Sequence, residues 1–141
     1  MENQFSQSLE ELIENAILFH TSVCESGLVM RKYVKSRVYK PKAAGLVCDS
    51  LDVLYHKSVK AHDWCLSAKV NHRHSVGEEE IYALKMLFSD FKKNHDDSEF
   101  LMTQLPDAPA LAHKNFQKRA LFLEEMNEAL DGIIAAQNRA A

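Results

Sequence analysis

Apolar residues in this chain recur at spacings of three and four almost from end to end, and very little interrupts them. Only four Gly and three Pro are spread over 141 residues. An all-β sandwich needs a turn signal every ten residues or so, and the chain lacks them. A period near 3.6 with few breakers points instead to long amphipathic helices.

Four helices can be read from the pattern. In the first, Ser8 and Glu11 match an S-x-x-E capping box ahead of an apolar run. Leu9, Ile13, Ala16, His20, Val23, Gly27, Met30 and Val34 then mark one face, and the helix is expected to reach about Tyr39, since Pro41 disfavours helix at Lys40. Gly27 within the stripe suggests either close approach of another helix or a kink. The second helix is expected over about residues 43–73, with Tyr55, Val59, His62, Leu66 and Val70 as its stripe and Leu51, Leu54 and Cys65 broadening it. Ser75 and Glu78 form another capping box, so the third helix should begin near Val76 with Ile81, Leu84, Phe88 and Phe91 inward. The polar stretch Lys92–Ser98 either breaks that helix or exposes it, with a further helical piece expected around Glu99–Leu105. Asp107 is the natural N-cap of a last helix that tolerates Pro109 in its first turn, and Ala112, Phe116, Ala120, Leu123, Met126, Leu130 and Ile134 supply its core face. Long helices joined by short links make an all-α, antiparallel up-and-down four-helix bundle, one domain over residues 1–141, elongated rather than spherical.

Several classes are disfavoured. No run approaches the roughly 18 apolar residues of a membrane span, and Met1-Glu2-Asn3-Gln4 has neither the basic nor the apolar region of a signal peptide. Cys24, Cys48 and Cys65 are odd in number and far apart, which suits reduced thiols in a core and a cytoplasmic protein. There is no glycine-rich phosphate loop, nucleophile elbow or H-E-x-x-H zinc motif. A carboxylate-bridged di-metal bundle needs E-x-x-H pairs. The residues three before the histidines are Ile17, Val53, Val59, Lys69, Asn71, Lys92 and Ala110, none of them Glu. No enzyme and no cofactor are expected. The remaining metal candidate is His72 and His74 with Glu78, but ligands at i and i+2 converge only in a loop, and solvation of a helix end is the simpler reading. His20 and His62 lie on apolar stripes, as buried hydrogen-bonded histidines do.

The charge is sorted along the chain. Residues 1–30 carry five acids and no Lys or Arg; residues 31–75 carry ten Lys/Arg against three Asp; residues 76–141 carry seven basic and twelve acidic groups. The net charge of −3 thus conceals a basic middle. Arg31, Lys32, Lys35, Arg37 and Lys40, interleaved with Tyr39, lead into Lys57, Lys60 and Trp64 at helical spacing on the second helix. Basic groups neutralise phosphates and aromatic rings give stacking platforms, while Arg and Trp also anchor protein interfaces. The expectation is a non-enzymatic binding or regulatory protein that presents these residues to an anionic partner, either nucleic acid or an acidic protein surface. Two alternatives stand beside it: a homo-oligomer, such as a homodimer, whose basic and acidic surfaces meet between subunits, and a metal-binding bundle.

Overall fold

The computed structural model describes residues 2–140, with side chains from 4 to 139. It contains α1 (Glu2–Ser36), α2 (Lys42–Val70), α3 (Glu78–Met102) and α4 (Ala110–Ala140), and no strand among the described residues. The links at 37–41, 71–77 and 103–109 are short, so successive helices run antiparallel. Around the ring, α1 packs on α2 and α4, and α3 packs on α2 and α4; pairs across the diagonal are too far apart to touch backbone to backbone. This is the up-and-down four-helix bundle expected from the periodicity. At 1.5 Å per residue α1 is about 52 Å long.

The helix ends correct several expectations. Ser8 caps nothing: it is a buried interior residue of α1, and its side chain lies where a Cβ on Gly132 of α4 would sit. Gly132 therefore provides the close α1–α4 approach. Gly27 is buried, but a Cβ there would meet only the side chain of its own helix's Arg31. The first helix stops at Ser36, whose hydroxyl donates to the Tyr33 carbonyl at 2.8 Å, and Tyr39 stands in the link. The N-cap of α3 is Gly77, not Ser75, and the Glu80 carboxylate accepts the Gly77 N–H at 3.3 Å. Lys92–Ser98 neither breaks the helix nor wholly exposes it, because His95 and Ser98 turn into the core. Asp107 caps no helix; its carboxylate is taken by the Tyr33 hydroxyl at 2.9 Å and by Arg37 at 2.5 Å.

The inward face of α2 is rotated from the one expected. Val47, Leu51, Leu54, Ser58, Ala61, Cys65 and Ala68 are buried, whereas Tyr55, Leu66 and Val70 are exposed. Both sets satisfy the helical period. The buried set is rich in small side chains, which let neighbouring backbones come close. On α4 the expected Ala120 is exposed, and its neighbour Arg119 is inside.

The core has two apolar halves. One holds Phe5, Leu12, Phe19, Leu54, Phe88, Phe91, Met126 and Ile133; here Phe19 of α1 and Phe91 of α3 stack across the bundle with ring centroids 4.8 Å apart. The other holds Met30, Tyr33, Val47, Leu51, Met102, Leu105 and Phe116. Between them lies a polar layer. Ser50 of α2 bonds Ser98 at 2.6 Å and Asn94 at 3.1 Å on α3. Ser22 of α1 donates to the Asn115 carbonyl at 3.3 Å. Arg119 is 0% exposed and bonds the Ser22 carbonyl at 3.3 Å and the Ser26 hydroxyl. Of the three cysteines, only Cys65 is fully buried, and burial pushes its thiol up to about 12. The expected apolar-stripe histidines meet at the α1–α2 seam: His20 and His62 have ring centroids 4.9 Å apart, and His20 Nδ1 lies 2.8 Å from the Ser58 hydroxyl. Burial, then the nearby His62, holds His20 below its ordinary value.

Candidate functional site

The basic residues singled out in the sequence fall into two groups. At the α2–α3 seam, Lys57, Trp64 and Arg73 are already matched to carboxylates of α3. Lys57 pairs with Asp90 of α3 at 3.4 Å. Trp64 is half-buried, and its indole N–H donates to Glu80 at 2.7 Å. Arg73 grips the same carboxylate through both terminal nitrogens, at 2.5 and 2.7 Å, and lies over the Trp64 ring at 5.8 Å. The Arg73 bonds, joined by Trp64, hold the Glu80 carboxyl below its usual range. This bidentate latch ties the end of α2 to the start of α3. Lys60 is exposed nearby without a partner among the described residues.

The second group sits where α1 turns into α2. Two of its cations are engaged. Arg31 reaches Asp52 at 3.4 Å, with both side chains largely exposed, a pair worth little in solvent. Arg37 pairs with Asp107 and lies near the Tyr33 ring. The Tyr33 hydroxyl, with Arg37 adding to it, lowers the Asp107 carboxyl from its ordinary value. Lys32, Lys35, Lys40 and Lys42 are exposed and have no carboxylate partner among the described residues. Between them the link carries Val38, fully exposed, and Tyr39, 77% exposed.

The start of α2 adds to this charge. Pro41 is its N-cap, no side chain caps its first turn, and that turn contains no acid. The first N–H groups of a helix lack intrahelical partners and carry the positive end of its dipole. Lysines at such a place raise the local potential, whereas carboxylates at the start of a helix lower it. The opening of α3 shows the contrast, with Glu78, Glu79 and Glu80 in the first turn. The α1–α2 corner is thus an uncapped helix start with four unpaired lysines and the exposed Val38 and Tyr39 close by in the chain. Chemically it can accept an anionic group and cover an apolar one beside it.

Other sequence candidates are not brought together. His72, with a left-handed φ of 46°, and His74 line a groove of about 730 Å³ against Glu10, Glu14 and the apolar Leu9 and Ile13 of α1. Glu78 does not line it, and His72, His74 and Glu78 do not converge on a common point. Sequence reading missed Val38, which has no partner in any pattern, and did not weigh the uncapped α2 start around Lys42. The signal for the latter was present: Pro41 followed by Lys42 and no Ser, Thr, Asp or Asn at the helix entry.

No helix among the described residues is long and apolar enough to cross a membrane. No protein-family model, curated protein or solved structure matches the chain. The class it defines is therefore that of its architecture, a four-helix bundle with a cationic corner.

Proposed function

We propose that this is a non-enzymatic binding protein whose α1–α2 corner docks an acidic protein surface. The observation that carries the reading is the uncapped start of α2 with Lys35, Lys40 and Lys42 unpaired about exposed Val38 and Tyr39. The lysines would meet carboxylates, and Val38 and Tyr39 would cover an apolar side chain between them. That mixture favours a protein partner over a nucleic acid, whose backbone offers phosphates but no apolar pocket for Val38.

Fluorescence anisotropy with an acidic peptide containing Leu and Phe, and with single- and double-stranded nucleic-acid probes, tests this. The peptide should bind, weakening severalfold or more as salt rises, because exposed charges are screened beyond about 8 Å at physiological ionic strength. Charge reversal at Lys35, Lys40 and Lys42 together should abolish binding. Lys60→Glu should change it little, since Lys60 lies about 27 Å along α2 from Lys42. Tighter binding of a nucleic acid, lost in the same triple variant, would transfer the corner to that partner class. No binding by any probe would end the proposal.

A second reading, self-association, draws on a different observation. One flank of α2 exposes Tyr55, Leu66 and Val70, which fall within a narrow arc of the helix. A second copy covering that face would place these side chains in an apolar interface. Sedimentation equilibrium should then give a dimer that Leu66→Glu with Val70→Glu converts to monomer. A monomer throughout the micromolar range removes this reading.

A further inference from the structure

We infer that the outer groove between α3 and α4 is a binding site for a divalent first-row transition-metal ion, ligated by His95, Asp96 and Glu99. The groove has a volume of about 460 Å³, and Glu124, Glu128 and Asp131 of α4 line its far wall. One donor atom from each of His95, Asp96 and Glu99 lies within 4.8 Å of the others, the only such convergent trio among the described residues. The site is independent of the cationic corner.

Carboxylates on a helix surface are common and prove nothing alone. The imidazole distinguishes this place. His95 is 3% exposed yet lines the groove, and neither of its ring nitrogens has a hydrogen-bond partner. A buried polar ring without partners is unusual. Its Nε2 lies 3.2 Å from Glu99 Oε2, but the contact lacks hydrogen-bond alignment. That separation suits two ligands of one ion: donors each about 2.1 Å from a metal lie about 3.0–3.4 Å apart in octahedral or tetrahedral geometry. Residues at i and i+4 share a helix face, so α3 itself sets the spacing.

The surrounding charge favours a cation. Five carboxylates line the groove against one lysine, Lys92. The buried Arg119 opposes the ion but leaves the balance negative. One nitrogen and two carboxylate oxygens suit Zn²⁺, Mn²⁺ or Fe²⁺ better than the all-oxygen shells of Mg²⁺ or Ca²⁺. Asp96 is held at present by Lys92, whose Nζ lies 2.9 and 3.2 Å from its two oxygens. Ligation by Asp96 therefore competes with Lys92, and the carboxylates of α4 would order the waters that complete the shell.

The test is a calorimetric titration of chelator-stripped full-length protein with Zn²⁺, and in parallel with Mg²⁺. One Zn²⁺ per chain is expected, with the His95 ring resonances shifted in NMR spectra. Glu99→Gln and Asp96→Asn change largely exposed side chains, and each should weaken Zn²⁺ about tenfold or more. Lys92→Met should tighten it severalfold by freeing Asp96. His72→Asn with His74→Asn should leave it unchanged. The inference is overturned if Zn²⁺ does not bind, if Mg²⁺ binds as well, if Glu99→Gln has no effect, or if the His72/His74 variant is the one that loses the ion.

Discussion

Replacing Phe91 by Ala should cost about 3–5 kcal/mol of folding stability, the usual range for removing a fully buried aromatic ring. Phe91 is 0% exposed and stacks on the Phe19 ring of α1 across the bundle. Backbone contacts run only around the ring of helices, so this stack is a direct tie between diagonal partners. Urea unfolding followed by circular dichroism would measure the loss. A double-mutant cycle with Phe19→Ala should return a coupling of about 0.5–1.5 kcal/mol beyond burial, as offset aromatic pairs do. Additive effects would show that the rings merely share a core and do not tie α1 to α3.

Arg119→Met should have the opposite sign and raise stability by about 1–4 kcal/mol, the gain found when buried charges give way to apolar groups of similar volume. Burial lowers the Arg119 guanidinium to about 10, so it is still charged at neutral pH. No carboxylate among the described residues pairs with it. Its bonds go to the Ser22 carbonyl and the Ser26 hydroxyl, its Nε and Nη1 have no partner, and the Phe116 face lies 4.4 Å away. A cation–π contact offsets part of the burial cost, but not the loss of water. Methionine would fill the space. The freed Ser26 hydroxyl sits four residues after Ser22 and can turn back to the Ser22 carbonyl. Arg119→Ala should go the other way, because it exchanges the charge for a cavity. The same urea titrations decide it: a Met variant less stable than the parent would mean that Arg119 contributes net stability. A gain would mean that the polar layer is kept for another reason, and register is the simplest. The apolar halves on either side could slide by a turn, and Arg119 with Ser22 and Ser26 matches only one alignment of α1 with α4.

The fold was legible in the chain because periodicity and the scarcity of Gly and Pro act locally. Lys42–Val70 and Glu78–Met102 fall within a few residues of their expected spans. Which face turned inward was less legible. On α2, the series through Tyr55, Val59 and Leu66 and the series through Leu54, Ser58, Ala61 and Cys65 are both helical stripes. Hydrophobicity favours the first, and the fold buries the second. On α4, Phe116 to Leu123 can be bridged by Arg119 or by Ala120 with equally good spacing. Hydropathy chooses Ala120, while the structure buries Arg119. Helix termini failed for a related reason: Ser8 and Asp107 have the chemistry of caps, but Gly132 and Tyr33 claim them from far along the chain.

The basic middle behaved in the same way. Its composition is a property of the chain alone, but its availability is not. Arg31 and Lys57 meet carboxylates of neighbouring helices, Arg37 meets one in the link before α4, and Lys32, Lys35, Lys40 and Lys42 stay unpaired at the α1–α2 corner, with Lys60 unpaired farther along α2. What the residues settled unaided was the all-α class and, through the short links, the antiparallel bundle; whether Lys92–Ser98 broke the third helix stayed open, because spacing within one segment does not decide it. Helix rotation, the buried arginine layer, the His95 groove and the selection of unpaired lysines came only with tertiary packing. Each depends on which side chain of a distant helix arrives opposite, and a helical wheel read alone admits more than one answer.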